Sequence, residues 1–179
     1  MAELTHRVAT LDDLDALREV MRRSIESLQT GFLTPEQVRV SHTVMGLDTQ
    51  LIKDGTYFVV ERDGRIAGCG GWSWRSTLYG GDESMVSREP EALDPATEAA
   101  RIRAMYTDPD FSRSGVGRLV LNLCEAAAIN AGFSRATMMA TMAGVPLYRA
   151  CGYLESEPPR AIDIDGVTVP LVRMEKDLC

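Results

Sequence analysis

The stretch from Arg101 to Gly132 constrains the fold of this chain more than any other part. It begins with a candidate strand, Arg101–Thr107, and passes through the bend DPDFSRSGVGR at 108–118. From Val116 onwards, apolar residues recur at every third or fourth position, as on one face of a helix. This order predicts a strand, a glycine-containing turn and a long helix that ends at Gly132. Such a unit belongs in a layered α/β domain.

The flanking sequence supplies further strands and helices. An Asp63-Gly64 turn joins Tyr57–Glu61 to a strand that begins near Arg65, which is typical of a β-hairpin. The predicted order along the chain is strand, two helices, three strands, helix, strand, helix and two strands. We therefore expect fold class α/β (α+β), with a mixed sheet flanked by helices in a single domain over residues 1–179.

Composition limits the classes of function. A formal charge of −7 argues against general nucleic-acid binding, which needs a basic face, and weakly favours a cationic substrate. The four cysteines form no Cys-x-x-Cys pair and the chain has only two histidines, so we expect no metal. No stretch has the length and apolarity of a signal peptide or membrane span. We therefore expect a cytoplasmic protein with reduced thiols and no membrane partner.

The glycine turn itself has the chemistry of an anion site. A helix start offers backbone N–H groups that lack intrahelical partners, together with the positive end of the helix dipole. Gly115 and Gly117 permit close approach, and Arg113 and Arg118 add positive charge. The turn lacks the Gly-Lys-Ser/Thr ending of a P-loop, and Val120 replaces the third glycine of the dinucleotide fingerprint. By itself, the turn is compatible with a phosphate ligand or with a plain strand-to-helix connection.

Two motifs together resemble the GCN5-related N-acetyltransferase (GNAT) superfamily. The first is MYTDPDFSRSGVGRLVLNLCEAAAINAGF, in which a strand and an acidic bend precede a glycine turn and a long helix. The second is PLYRACGYLE, a short helix with a tyrosine before a Gly-aromatic pair. The resemblance is sharpest over residues 101–155. It implies a mostly antiparallel sheet of the acyl-CoA N-acyltransferase type, with acetyl-CoA as co-substrate.

The resemblance also implies roles for individual residues. Tyr148 aligns with the family tyrosine that donates a proton to the coenzyme sulfur, and Thr141 stands where many relatives have an asparagine that contacts the pantetheine arm. Ser112 stands where the family usually has Arg or Gln. The implied coenzyme-binding residues are Met105, Tyr106, Thr107, Ser112, Arg113, Ser114, Gly115, Val116, Gly117, Arg118 and Thr141.

The sequence has no motif that identifies the amine acceptor. Residues 76–100 form a long aperiodic segment, which we interpret as a candidate lid over the acceptor site. Asp82 and Glu83 are weak candidates for attracting an amine, although solvated loop acids are the commoner case. Trp72 and Tyr79 are weak candidates for lining an acceptor pocket, although alternate aromatics on a strand more often pack in the core.

The sequence thus predicts an acetyl-CoA-dependent N-acetyltransferase acting on a primary amine of a small molecule or a protein, by direct attack in a ternary complex. The alternative is a non-catalytic acyl-CoA-binding or regulatory module on the same fold. The general base and the preferred acyl chain length are not identified. The assembly stays open, with a homodimer as the form that is common among relatives.

Overall fold

The computed structural model of the protein describes residues 3–84 and 91–178. Over these residues the chain forms eight strands and five α-helices. The strands are β1 Thr5–Val8, β2 Tyr57–Arg62, β3 Arg65–Ser73, β4 Ala100–Thr107, β5 Arg135–Thr141, β6 Leu154–Glu155, β7 Arg160–Ile164 and β8 Val167–Asp177. The helices are α1 Leu14–Leu28, α2 Pro35–Val44, α3 Thr49–Lys53, α4 Val116–Asn130 and α5 Val145–Ala150.

The strands form one mixed, mostly antiparallel sheet, which confirms the expected fold class. Its order is β1-β2-β3-β4-β5-β8-β6, with β7 also paired to β8. Among the strand pairs of the described residues, only β4–β5 is parallel. The hairpin between β2 and β3 turns at Asp63 and Gly64, whose φ angles are 53° and 73°. Two consecutive positive φ values fit the right-handed twist of the strands, and this is why an Asp-Gly turn occurs here.

Each face of the sheet carries its own hydrophobic core. On one face, α1, α2 and α3 bury residues such as Leu17 and Leu51. On the other face, α4 and α5 bury residues such as Leu121. Helix α4 approaches β3 very closely, because a Cβ at Gly68 would lie 2.4 Å from Val116 Cγ1 and one at Gly70 would lie 2.6 Å from the side chain of Val120. The sheet therefore separates α1 from α4.

Two short elements were not predicted. Helix α3 has five residues and β6 has two, so neither shows a periodic apolar pattern. Helix α2 ends at Val44, and Gly46 follows with a φ of 138°. Asp48 then starts α3 by accepting a hydrogen bond from the backbone N–H of Gln50.

The long segment 76–100 is tied to β3 at its base. The backbone N–H of Ser76 donates to the Glu91 carbonyl over 3.0 Å, and that of Leu93 donates to the Trp74 carbonyl over 2.7 Å. Leu93 is buried in the core beside α4. Part of the candidate lid, residues 85–90, lies outside the described residues. The proposed lid function stays a prediction.

Across the described residues, no helix is long and apolar enough to cross a bilayer.

Candidate active site

A cleft opens where β4 and β5 separate. Their parallel pairing is restricted to Ala100 with Ala136 and Arg101 with Thr137. Beyond these pairs, two cavities of about 90 Å³ and about 130 Å³ lie between the strands and the helices. The two cavities adjoin, because both are lined by Met45, Met105, Tyr106, Thr141 and Tyr148. Four of these five residues are among those predicted from the sequence.

Strand β4 is distorted beside the cleft. Its register against β3 passes from the Gly71–Arg103 pair directly to the Cys69–Tyr106 pair, and Ala104 has a φ of 50°. The buried hydroxyl of Tyr57 donates to the Ala104 carbonyl over 2.6 Å and holds this conformation. A bulge of this kind takes backbone groups out of the ladder. Ala104 and Met105, which lie at this bulge, both line the cavity of about 90 Å³.

The predicted glycine turn lies at the start of α4. Gly115 is the N-cap residue with a φ of 88°, and no side chain caps the helix among the described residues. The first amides of α4 therefore have neither an intrahelical partner nor a side-chain cap. Arg113 and Arg118 are exposed, and neither forms an ion pair within the described part of the chain. The arrangement fits a negatively charged group.

The bend before this turn is fixed by a charge cluster. Asp108, which is almost completely buried, accepts a hydrogen bond from the backbone N–H of Asp110. Arg23 of α1 lies 3.2 Å from the Asp108 carboxylate and 2.9 Å from that of Asp110. Arg65 of β3 also pairs with Asp110, and its hydrogen bond lowers the pKa of that carboxyl. The turn is thus held to both α1 and β3.

Tyr148 lies at the meeting point of the two cavities. Its ring is buried against Gly144, where a Cβ would lie 2.6 Å from Tyr148 Cε2. Burial raises the pKa of Tyr148 well above that of a free phenol, so the hydroxyl is protonated at neutral pH. No residue in 3–84 or 91–178 hydrogen-bonds this hydroxyl. Helix α4 approaches α5 through Gly117, where a Cβ would lie 2.8 Å from Leu147 Cδ2.

The predicted site residues divide between two places. Met105, Tyr106, Thr107, Gly117, Thr141 and Tyr148 line the cavity of about 130 Å³. The side chain of Tyr106 is directed to the α2 side, where its hydroxyl accepts a hydrogen bond from the backbone N–H of Gly46 over 2.7 Å. Ser112, Arg113, Ser114, Gly115, Val116 and Arg118 form the turn and the first residues of α4 instead.

One acceptor-site prediction must be corrected. Trp72 is buried in the core, where its ring lies 5.9 Å from that of Trp74 and 6.0 Å from that of Phe133. Because it points to the face that α4 covers, it does not line the cleft. Its alternation along β3 reflects sheet packing, and we exclude it from the acceptor site.

The other acceptor candidates do lie near the cleft. Tyr79 lines the cavity of about 90 Å³. Asp82 and Glu83 line a neighbouring opening of about 250 Å³, which is bordered by α1 and α2. Asp82 is also engaged locally, since its carboxylate accepts from the backbone N–H of Thr49 at 3.2 Å.

A buried ion pair that was not predicted holds the segment carrying Tyr79. Arg103 of β4 donates to the Asp48 carboxylate over 2.8 Å, and the two side chains are only 4% and 2% exposed. Arg103 also donates to the backbone carbonyls of Thr77 and Gly80, at 3.0 Å and 2.7 Å. The signal in the sequence was an arginine within a buried strand, which usually needs a partner.

Two polar residues at the end of α1, one within the helix and one directly after it, were also not predicted. Ser24 and Gln29 line the cavity of about 130 Å³, and both are buried. The side-chain oxygen of Gln29 has no hydrogen-bond partner among the described residues. Over the same residues, no cluster of three or more His, Cys, Asp or Glu side chains could hold a metal ion.

The sequence comparisons identify the family. The acetyltransferase (GNAT) family model matches residues 21–153, which is more than half of the chain. The protein therefore belongs to the GNAT family, as predicted from the glycine turn and the tyrosine motif. A search of curated proteins finds no significant match.

Solved structures agree with this fold over nearly the whole chain. The GCN5-related N-acetyltransferase from Rhodopseudomonas palustris is 17% identical, with a TM-score of 0.72 over 99% of this chain and 97% of the other. The yncA protein from Salmonella typhimurium, solved with its cofactor acetyl-CoA, is 17% identical, with a TM-score of 0.65 over 99% and 95%. The PaiA N-acetyltransferase from Thermoplasma acidophilum, in complex with coenzyme A, is 15% identical, with a TM-score of 0.60 over 98% and 99%. At these identities, the likeness concerns the fold.

Proposed function

We propose that the protein transfers the acetyl group of acetyl-CoA to a primary amine of a small molecule or a protein. The observation that carries the proposal is the convergence on one cleft of three features. These are the bulged backbone of β4, the uncapped start of α4 and the protonated hydroxyl of Tyr148. Membership of the GNAT family supports the same reaction class.

The pyrophosphate of the coenzyme would bind at the start of α4. The amides of residues 113–118 supply donors there, and Arg113 and Arg118 supply charge that no described acid neutralises. The backbone of Met105–Thr107 would pair with the pantetheine arm, because this part of β4 has no paired strand on the β5 side within the described residues. The Thr141 hydroxyl, which accepts from the backbone N–H of Gly144, borders the same path.

The chemical step needs a proton donor at the coenzyme sulfur and a hydrogen-bond donor at the acetyl carbonyl oxygen. The amine nitrogen forms a bond to the acetyl carbon while the carbon–sulfur bond breaks, and the departing thiolate takes a proton from the Tyr148 hydroxyl. Backbone N–H groups at the β4 bulge would stabilise the negative charge that develops on the carbonyl oxygen. The proton of the amine passes to water, and Tyr148 regains its proton from solvent.

The acceptor would enter from the side of α1, α2 and segment 77–84. This side is opposite α4, whose first turn would be occupied by the coenzyme, and Tyr79, Asp82 and Glu83 lie there. Asp82 and Glu83 would attract a cationic amine, but Arg18 and Arg22 line the same opening, so its charge is mixed and does not by itself select a cationic acceptor.

Thiol release from acetyl-CoA, measured across alkylamines, amino acids and peptides with free N-termini, tests the proposal. We expect amine-dependent release with at least one class, and mass spectrometry should detect the acetylated amine. Micromolar coenzyme binding by calorimetry without turnover on any amine would instead favour the non-catalytic module.

A further inference from the structure

The side chain of Gln29 is buried without a hydrogen-bond partner at its oxygen. Gln29 follows the last residue of α1 and is 5% exposed. Its backbone carbonyl accepts from the N–H groups of Phe32 and Leu33 at 3.0 Å and 2.9 Å, so the residue is held in place by the main chain. Its carboxamide oxygen is enclosed by the protein, yet no described residue donates to it.

A second glutamine, the half-buried Gln37, shows the usual arrangement. The carboxamide of Gln37 accepts from the backbone N–H of Thr34 over 2.9 Å and donates to the Thr168 carbonyl over 2.8 Å. Buried amide oxygens are nearly always paired in this way, because an unpaired one loses its hydration without compensation. The side-chain oxygen of Gln29 therefore has a free acceptor position among the described residues, and a bound ligand could supply the donor.

The position of Gln29 indicates which ligand. It lines the cavity of about 130 Å³ together with Thr141 and Tyr148. Helix α1 packs on the face of the sheet opposite α4, so Gln29 lies on the wall that faces away from the proposed coenzyme helix. Because the proposed acceptor enters from the side of α1, the donor that would reach Gln29 from there is the N–H of the acceptor amine.

We propose that the side-chain oxygen of Gln29 accepts a hydrogen bond from the attacking amine and directs the nitrogen lone pair toward the acetyl carbon. The inference rests on the proposed acetyl transfer. As the nitrogen–carbon bond forms, the nitrogen becomes positively charged and this hydrogen bond strengthens. Gln29 does not titrate and takes no proton, so the amine proton still passes to water.

Gln29→Met tests the role, because methionine keeps the volume and removes the hydrogen-bonding groups. With n-butylamine and with the best amine of the panel, we expect kcat/KM for the amine to fall about tenfold, the effect of one hydrogen bond. We expect KM for acetyl-CoA to stay unchanged. The melting temperature should stay the same or rise, because an unpaired buried polar group has been removed.

Two further variants distinguish a contact between Gln29 and the amine from a contribution of Gln29 to stability. Gln29→Glu keeps an acceptor oxygen and should recover most of the lost kcat/KM. Gln37→Met is the matched control outside the cleft, and it should lower the melting temperature while leaving both KM values unchanged.

The outcomes distinguish the two proposals. An unchanged kcat/KM for the amine in Gln29→Met overturns the role of Gln29 while leaving acetyl transfer intact. A raised KM for acetyl-CoA alone also overturns it, since the partner would then be the pantetheine amide. A wild-type protein that acetylates no amine overturns the proposed function itself.

Discussion

The two walls of the cleft are built in different ways. The wall formed by α4 and α5 consists of residues that are close in sequence, and its central features are the turn at 112–118 and Tyr148. The wall formed by α1, α2 and segment 77–84 depends on contacts between distant parts of the chain. Arg103 pairs with Asp48, and Tyr106 binds the backbone of Gly46. A local wall leaves a motif in the sequence, whereas a wall assembled from distant parts leaves only isolated polar residues.

The largest effect should be a loss of stability from a substitution in the wall formed by α1, α2 and segment 77–84. Arg103→Met removes the cation of a buried ion pair from beside Asp48, which should cost roughly 3–5 kcal/mol of unfolding free energy. Chemical denaturation measures this cost. The double variant Arg103→Met/Asp48→Asn should be more stable than the single one, and equal stability of the two would show that the pair is not coupled.

Tyr148→Phe, in the wall formed by α4 and α5, should have the next largest effect, a loss of activity. Loss of the proton donor is expected to lower kcat about 100-fold, with the affinity for coenzyme A unchanged. Because burial raises the pKa of Tyr148, the wild-type hydroxyl keeps its proton as the pH rises to about 10. The wild-type rate should therefore show no decline from Tyr148 ionisation up to that pH. An unchanged kcat in the variant would exclude Tyr148 as the donor.

Gly115→Ala should disturb the turn through backbone strain alone. The φ of Gly115 is 88°, and no atom lies within 4 Å of an added Cβ, so we expect a cost of roughly 1–2 kcal/mol and weaker coenzyme binding. Gly64→Ala is the matched control, since Gly64 has a φ of 73° with the same open surroundings but lies in the β2–β3 hairpin. It should cost similar stability without changing coenzyme affinity. Equal losses of affinity in both variants would refute a specific role of the turn.

The smallest effects should come from the two arginines of the turn. Arg113→Gln and Arg118→Gln should each weaken coenzyme A binding severalfold, about 2- to 5-fold at low salt, because each side chain is exposed and its charge is screened. Binding measured at two salt concentrations should show a shallower salt dependence in both variants. An unchanged salt dependence would mean that these side chains do not contact the phosphates.

Much of the fold was predictable, but less of the cleft. The turn, α4, β5 and the position of Tyr148 follow from apolar periodicity and two short motifs. The bulge at Ala104 was not predictable, because alanine rarely has a positive φ and nothing nearby in sequence marks it. Gln29 resembles any polar residue at a helix end until the fold encloses it. Trp72 shows the converse error, since a strand has two faces and alternation alone does not indicate which one borders the cleft.

The separation of β4 from β5 also affects how the protein avoids aggregation. Beyond two residue pairs, each of these strands has an edge to which no other strand of the described residues is paired. Exposed edges can recruit strands from other molecules, and proteins usually protect them with charge or proline. Here the two edges lie at the bottom of a cleft enclosed by helices on both faces of the sheet. The helices of both faces therefore stand between these edges and a strand of another molecule.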